Sequence, residues 1–212
     1  MRNVKLSRMV FLAILGAWAI VLRMLDFPIL PVAPFLKIDF SDLMVLIGML
    51  TSGPIGAVAV AGVRDISNYL MKGGEAGFPI GVIMSFTASM AMFLPTHFIL
   101  AKLKTNSTIL RNILMSITLI IGLTLSMALI NYYVALPWYV LVLNFPIDNL
   151  FSYLMAVIVP FNLIKGVILS IGQIIVIKTL IPMMKRRMAL HEPYLVEDKV
   201  KSHGIRLTQS HG

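Results

Sequence analysis

The segment Val159-Pro160-Phe161-Asn162-Leu163-Ile164-Lys165-Gly166 opens the last long apolar run of the chain. Residues 167–181 continue this run with four polar interruptions, Ser170, Gln173, Lys178 and Thr179. Its length is that of a membrane-spanning helix, on which positions three apart share one face. A lysine inside a membrane helix costs about 2.5–3.5 kcal/mol on insertion scales unless it has a partner or faces a cavity. We therefore expect Lys165 either to snorkel to the interface or to face a ligand pocket.

The composition extends this interpretation to the whole chain. Of 212 residues, 58% are hydrophobic and 13% are charged, with a mean hydropathy of +0.91. A soluble domain of this size cannot bury so much apolar surface, which indicates an integral membrane protein. Long apolar runs with internal glycine and proline favour helices over a barrel. The net charge of +9 is concentrated near the predicted membrane boundaries, where it indicates topology, and we expect no nucleic-acid partner.

The apolar runs predict an all-α bundle of six membrane-spanning helices. The predicted spans are residues 9–25, 42–50, 54–71, 80–101, 113–136 and 160–184. The division between the second and third spans is left open, because Thr51-Ser52-Gly53-Pro54 is either a tight turn between them or a break within one span. The six spans make up a substrate-binding domain over residues 1–188, and the polar residues 189–212 are predicted to form a disordered cytoplasmic tail.

Lysine and arginine residues set the predicted orientation. With a cytoplasmic N-terminus, the inner side receives ten of them and the outer side three. The inner set is Arg2, Lys5, Arg8, Lys102, Lys104, Arg111, Lys178, Lys185, Arg186 and Arg187, and the outer set is Arg23, Lys37 and Lys72. An odd number of spans would place the basic ends on opposite faces, so both termini are predicted to be cytoplasmic.

Two long loops are predicted on the outer side. Residues 26–41 carry three prolines and should be extended and stiff. Residues 137–159 are rich in aromatic side chains and should either anchor in the membrane interface or fold over the bundle as a lid.

Enzyme and nucleotide-binding motifs are missing from the sequence. It contains no G-x-x-x-x-G-K-[ST] loop, no H-E-x-x-H and no G-x-S-x-G, and it has no cysteine. Asp39 and Asp42 are interpreted as a helix cap rather than an acid–base pair. Arg64 and Asp65 are adjacent and should face different partners on other helices. A transporter with this sequence would take its energy from an ion gradient or from another subunit.

Three polar side chains are predicted to share one depth in the outer half of the bundle. Asn131 lies about 9 Å inward from Pro137, and Lys165 lies about 9 Å inward from Val159, at the helical rise per residue. Together with Asn162 they offer amide and ammonium groups suited to a neutral, planar, amide-rich ligand. With no acid expected at this depth, a cationic ligand is disfavoured. The alternative is that the asparagines only join helices.

Aromatic and small residues complete the set of candidates. Tyr132, Tyr133, Trp138 and Tyr139 are placed to stack on a ligand ring. In the first span, Ala13 and Ala17 form a small-x-x-x-small pattern, with Gly16 and Ala19 extending the smooth side. Such a surface lets another helix approach closely.

These residues together resemble a known family. The runs that carry the resemblance are residues 27–31, Pro34-Phe35-Leu36-Lys37-Ile38-Asp39-Phe40-Ser41-Asp42, Gly53-Pro54-Ile55-Gly56, Asn131-Tyr132-Tyr133 and residues 160–166. In order and spacing, from residue 6 to about residue 185, the chain closely resembles the riboflavin-specific S components of energy-coupling factor (ECF) transporters. Met44 stands where relatives have proline or a small residue, and Arg64-Asp65 replaces a Lys-Asn type pair. Neither departure is expected to touch the pocket.

The resemblance implies a substrate-capture subunit in the cytoplasmic membrane of a prokaryote. Such a subunit binds riboflavin as substrate, with no cofactor, and pairs with a coupling membrane subunit and two ATPases. The resemblance places ligand contacts at Asn131, Asn162 and Lys165, and it implies that the loop at Pro34, Phe35 and Leu36 closes the pocket. It also implies that Ala13 and Ala17 dock the coupling subunit.

Other functions remain open at this level. The chain could be an S component for another vitamin, such as pantothenate or a thiamine precursor. It could instead be a stand-alone ion-coupled transporter with Asp65 or Asp42 as its proton carrier, although no inverted repeat is visible. A structural membrane protein is a third option, but it would not need three polar groups at one depth.

Overall fold

Long apolar helices make up most of the molecule. The computed structural model describes residues 4–31, 33, 35–74, 76–103, 107–186 and 191–194. Its helices are α1 (Val4–Met24), α2 (Ser41–Lys72), α3 (Ile80–Lys102), α4 (Thr108–Ile130), α5 (Leu136–Leu143), α6 (Leu150–Tyr153) and α7 (Val159–Arg186). Five helical stretches in these ranges have the length and apolarity to cross a membrane: Leu6–Met24, Ser41–Lys72, Ile80–Lys102, Thr108–Leu143 and Leu150–Met184. The chain is therefore an all-helical, multi-pass membrane protein.

Helix α2 folds back on itself near its middle. Ser52 and Gly53 leave helical geometry, and Gly53 has a φ of 65°, a left-handed conformation that glycine adopts at little cost. The backbones on either side of the turn are in close contact. A Cβ atom added to Gly56 would lie only 2.0 Å from the carbonyl oxygen of Gly48. Residues 51–54 thus form a tight turn between two antiparallel helical halves, one of the two arrangements that the sequence left open.

Two π-helical turns correct the predicted long loop at residues 137–159. The turn Asn131–Ala135 joins α4 to α5, and Leu154–Ile158 joins α6 to α7. Each ends in a wide backbone hydrogen bond, from Leu136 to Asn131 and from Val159 to Leu154, and a proline follows immediately. A proline has no N–H to donate, and widening the preceding turn lets helix continue past it. Only residues 144–149 connect the two helical stretches without helix.

The first predicted outer loop contains a short hairpin. Strands β1 (Phe27–Pro28) and β2 (Lys37–Ile38) pair antiparallel, with Phe27 opposite Ile38 and Pro28 opposite Lys37. Ala33 and Leu36 are buried in an apolar cluster with side chains from α5 and α7, including Leu136 and Phe161. The hairpin therefore packs on the end of the bundle.

The packing order of the helices brings α2, α3, α4 and α7 together. Helix α1 packs against α2, α2 against α3 and α7, and α4 against α3 and α7. The main apolar core lies among these helices and is rich in leucine and methionine, which adapt to irregular gaps. Helix α1 lies at the edge, where Trp18, Ile14 and Val10 are exposed.

Residues 191–194 lie against the bundle near the turn of α2. The backbone N–H of His191 donates to the carbonyl of Leu50 (2.8 Å), and Tyr194 is buried, with its hydroxyl 2.6 Å from Nδ1 of His97. Burial raises the pKa of the Tyr194 phenol, so the hydroxyl stays protonated and can donate to His97. The predicted disordered tail, residues 189–212, otherwise lies outside the described residues, and for those residues disorder stays a prediction.

Candidate ligand-binding site

A cavity of about 350 Å³ opens at the hairpin end of the bundle. Its size lies within the range of small-molecule sites, roughly 300–1,000 Å³. The lining combines apolar side chains with amides and charged groups: Arg23, Asp26, Phe35, Leu36, Lys37, Asn68, Lys72, Gly73, Gly74, Pro79, Gly81, Val82, Met84, Ser85, Ala88, Met127, Asn131, Tyr139, Phe161, Asn162 and Lys165. Apolar walls with a few convergent polar groups are typical of a binding site for an organic molecule.

The two asparagines present their carbonyl oxygens to this cavity. Each is buried, and each side-chain amide donates one hydrogen bond to the carbonyl four residues earlier: Asn131 to Met127 (2.7 Å) and Asn162 to Ile158 (2.8 Å). Within the described part of the chain, the Oδ1 atom of each accepts no hydrogen bond. The bonds donated to Met127 and Ile158 fix the orientation of the two side-chain amides, so both Oδ1 atoms are free to accept from a ligand. The predicted alternative, asparagines that only join helices, is not what the structure contains.

Lys165 is buried and does not snorkel to the interface. Its ammonium lies 3.6 Å from Oδ2 of Asp42, and both side chains are at most 10% exposed. The expectation that no acid shares this depth was wrong, because α2 packs against α7 and brings Asp42 next to Lys165. The predicted preference against cationic ligands therefore loses that support.

Below the cavity, Arg64 is the centre of a buried polar network. Its Nη1 donates to Asp42 (2.7 Å), and its Nε and Nη2 donate to the two carboxylate oxygens of Asp65 (2.9 Å each). The prediction that adjacent Arg64 and Asp65 face different partners was wrong for this pair, although Arg64 also reaches Ser85 and Ser89 on α3 (2.9 Å each). The sequence signal for this network was the presence of four ionisable residues within apolar spans, because such residues pair with one another in membranes. The four are Asp42, Arg64, Asp65 and Lys165.

The other predicted cap residue, Asp39, is buried just before the start of α2. It accepts hydrogen bonds from the hydroxyl and the backbone N–H of Ser41, the latter at 2.8 Å, and from Arg23 at 2.6 Å. Asp42 makes no capping bond, since its partners are side chains deeper in the bundle. The N-cap residue of α2 is Phe40, so neither aspartate occupies that position, although Asp39 accepts from the first helical N–H, that of Ser41.

Ion pairs lie at the entrance of the cavity. Asp26 lies 3.3 Å from the ammonium of Lys37 and 3.4 Å from that of Lys72, so one carboxylate serves two lysines. Both lysine side chains are 40% exposed. Arg23 is compensated by Asp39. Among the described residues, Arg23, Lys37 and Lys72 are thus paired with two carboxylates, Asp26 and Asp39.

Aromatic rings cover one side of the cavity. Phe35 packs on Tyr139 with ring centroids 4.7 Å apart and meets Phe145 edge-on at 5.5 Å. Of the four aromatic residues predicted to stack on a ligand, only Tyr139 lines the cavity. Tyr133 is 71% exposed, because the wide turn at residues 131–135 rotates it outward.

The structure thus brings together most of the predicted site. Asn131, Asn162, Lys165, Phe35 and Leu36 all line the one cavity, and Pro34 lies outside the described residues. The helix ends used to estimate this depth were incorrect, since both helices continue past Pro137 and Val159. Asn131 and Lys165 nevertheless line the same cavity, and their contact with a ligand stays a prediction.

The small residues of α1 do not form a single face. Ala13 and Ala17 are exposed and point away from the cavity. Gly16 and Ala19 are buried on the other side, where a Cβ on Gly16 would lie 3.0 Å from Val63 of α2. Gly16 and Ala19 therefore pack within the bundle. The prediction that they extend the exposed surface of Ala13 and Ala17 was wrong.

Comparisons with known proteins agree with this architecture. A family model described as the substrate-specific component of ECF transporters matches residues 7–177. The riboflavin transporter FmnP of Bacillus subtilis (strain 168) is 30% identical over 190 residues, which cover 88% of this chain and 98% of that protein. The riboflavin transporter RibU of Staphylococcus aureus (strain TCH60) is 35% identical over 182 residues, covering 85% and 93%.

A solved structure gives the same result at the level of the fold. It is described as the S component of a bacterial ECF transporter and superposes with a TM-score of 0.67 at 31% identity. The match covers 85% of this chain and 99% of that one. At this coverage the likeness extends to the whole bundle.

Proposed function

We propose that this chain, which belongs to the substrate-specific components of ECF transporters, captures riboflavin in the cavity of α2, α3, α4, α5 and α7 and delivers it for uptake. The single observation that supports this most is the convergence of Asn131, Asn162 and Lys165 on one partly apolar cavity. The family is a transporter component and not an enzyme family. Two curated relatives are riboflavin transporters.

The chemistry of the cavity suits a flavin ring. The isoalloxazine ring is flat and apolar over most of its area, and its imide edge offers one N–H between two carbonyls. The free Oδ1 atoms of Asn131 and Asn162 can accept from the N–H, and the ammonium of Lys165 can donate to a carbonyl. Phe35 and Tyr139 supply aromatic surface on one side of the ring. The hydroxylated ribityl chain would extend toward the polar entrance.

The membrane arrangement follows from the same proposal. The two halves of α2 would cross separately, giving six crossings with both termini in the cytoplasm of a prokaryotic cell. The cavity would then open outward. Release would need a coupling membrane subunit and two ATPases, since the sequence has no phosphate-binding loop. The exposed face of α1 around Ala13 and Ala17 would contact the coupling subunit, because small side chains allow close helix approach.

The stand-alone ion-coupled alternative finds little support in the polar network. Its candidate proton carriers, Asp42 and Asp65, both accept hydrogen bonds from Arg64. A guanidinium is always charged, so both carboxylates are occupied as acceptors of its hydrogen bonds. A proton carrier must instead release and regain its proton during transport.

Riboflavin titration of the purified protein in detergent, followed by quenching of flavin fluorescence, tests the proposal. We expect saturable binding, weakened about tenfold or more by Lys165→Ala and by Asn131→Ala, because each removes a buried polar contact with the ligand. Lys178→Ala and Asn112→Ala are matched controls, since these residues lie on the same helices but line a separate groove. Absence of quenching by the unmodified protein would refute riboflavin as the ligand.

A further inference from the structure

The two oxygens of Asp42 have different partners. Oδ1 accepts from Arg64 Nη1 at 2.7 Å and from the Ser89 hydroxyl at 2.6 Å. Oδ2 faces the Lys165 ammonium at 3.6 Å. Among the described residues, Asp42 is the one carboxylate within ion-pair distance of Lys165. The carboxylate therefore joins a fixed network on one side to a cavity-lining lysine on the other.

The network side is rigid. Arg64 is fully buried, and besides Asp42 it is held by both oxygens of Asp65 and by the hydroxyls of Ser85 and Ser89. A planar guanidinium with several fixed acceptors has little rotational freedom. Asp42 is thus held by Arg64 from the second half of α2 and by Ser89 from α3.

The lysine side remains available to a ligand. At 3.6 Å, the Lys165–Asp42 contact is an ion pair without a normal hydrogen bond. The three N–H groups of Lys165 can therefore donate to a ligand. Lys165 lines the cavity and Asp42 does not. The charges also balance: Arg64 and Lys165 contribute two positive charges, and Asp42 and Asp65 two negative ones. Without Asp42, Lys165 would be an uncompensated cation in a membrane interior.

From this geometry we infer that Asp42 is a positioning residue for ligand binding, which acts only through Lys165. This inference rests on the proposed function. Asp42 holds the ammonium at the cavity floor, where it meets the carbonyl edge of the flavin, and it touches no part of the ligand itself. Arg64 and Ser89, which donate to its other oxygen, keep that carboxylate in place.

Asp65 provides the matched control for the test. It is also a buried aspartate bound to Arg64, but its ion pairs do not include Lys165. The experiment compares Asp42→Asn and Asp65→Asn by riboflavin titration and by thermal unfolding in detergent. We expect Asp42→Asn to weaken binding about tenfold, and Asp65→Asn to change it less than about threefold even where it lowers the melting temperature equally.

A double-mutant cycle separates positioning from a structural role. In a Lys165→Met background, Asp42→Asn should have no further effect on affinity, because the residue through which it acts is gone. Equal losses of affinity in the two aspartate variants, or a persistent effect of Asp42→Asn in the Lys165→Met background, would overturn the inference.

If the Asp42→Asn variant does not fold, a double variant tests the inference. Asp42→Asn combined with Lys165→Met must then fold, since the second change removes the uncompensated ammonium, and its failure would contradict the inference. The unmodified protein is titrated in the same series. If it does not bind riboflavin, the proposed function fails; if it binds and the cycle shows no coupling, only the role of Asp42 fails.

Discussion

At the scale of single residues, Arg64 shows how a charge is accommodated in an apolar bundle. It is fully buried and donates to Ser41, Asp42, Asp65, Ser85 and Ser89. A buried ion is stable only when its charge and its donors are satisfied together. Two carboxylates supply the charge and accept three of the five N–H groups, and the remaining two N–H groups are shared among three hydroxyls.

Replacing Arg64 by methionine should destabilise the protein strongly. The side chain is similar in length, but Asp42 and Asp65 would lose their common counter-ion, a change that costs about 3–5 kcal/mol in buried pairs. Thermal unfolding in detergent, with Lys72→Met as control, measures the effect. The control should cost at most about 1 kcal/mol, because the Lys72 ion pair is solvent-exposed. A similar small effect at Arg64 would mean that the network does not stabilise the fold.

At the scale of elements, departures from regular helix place the site. The turn in α2 carries Asp42 and Arg64 to the same level, although they are 22 residues apart. The π turn at Asn131–Ala135 begins with a cavity residue, and the other ends four residues before Asn162. Wide turns re-aim the side chains around them, and they are frequent at functional sites.

The turn of α2 can be tested with a pair of glycine-to-alanine substitutions. Gly56→Ala should destabilise the protein by a few kcal/mol, because the new Cβ would lie 2.0 Å from a backbone oxygen that cannot move aside. Gly62→Ala, in the same helix, meets no atom within 4 Å and should be neutral or slightly stabilising. Melting temperatures of the two variants decide the matter, and equal values would argue against a tight turn at residues 51–54.

At the scale of the whole molecule, one edge helix is left with an open face. Helix α1 packs mainly on α2, and it exposes Ala13 and Ala17 together with large apolar side chains such as Trp18. Ala13 and Ala17 do not line the cavity, to which α1 contributes only Arg23 near its end. A partner bound at α1 would therefore act on the bundle as a unit and would not touch the ligand.

Bulky substitutions on this face should separate uptake from binding. We expect Ala13→Trp with Ala17→Trp to abolish riboflavin uptake by cells while leaving the affinity of the purified protein unchanged, because a close helix approach is blocked far from the cavity. Leu125→Trp, on the exposed face of α4, is the control and should leave both intact. If the alanine variants lose affinity but still assemble with their partner, the assignment of this face is wrong.

Much of the architecture could be predicted from local sequence. Apolar runs of sufficient length predict membrane helices because the bilayer leaves backbone groups no other partners. The turn residues Ser52 and Gly53 marked the fold in α2, and rare polar residues such as Asn131, Asn162 and Lys165 marked the cavity, since their cost in lipid demands a reason. The prediction of a long outer loop at residues 137–159 was wrong, because a π turn before Pro137 and another before Pro160 let helix continue through these prolines.

By itself, then, the sequence determined the membrane class, the helical elements and the identity of the polar cavity residues, all of which depend on local hydrophobicity and spacing. Only the tertiary structure decided which charges pair. Asp42 meets Lys165 at 3.6 Å and Arg64 at 2.7 Å across separations of 123 and 22 residues, since the bundle brings α2 beside α7 and folds α2 on itself. Spacing along one helix cannot reveal such contacts, because they depend on how separate helices turn their faces toward each other.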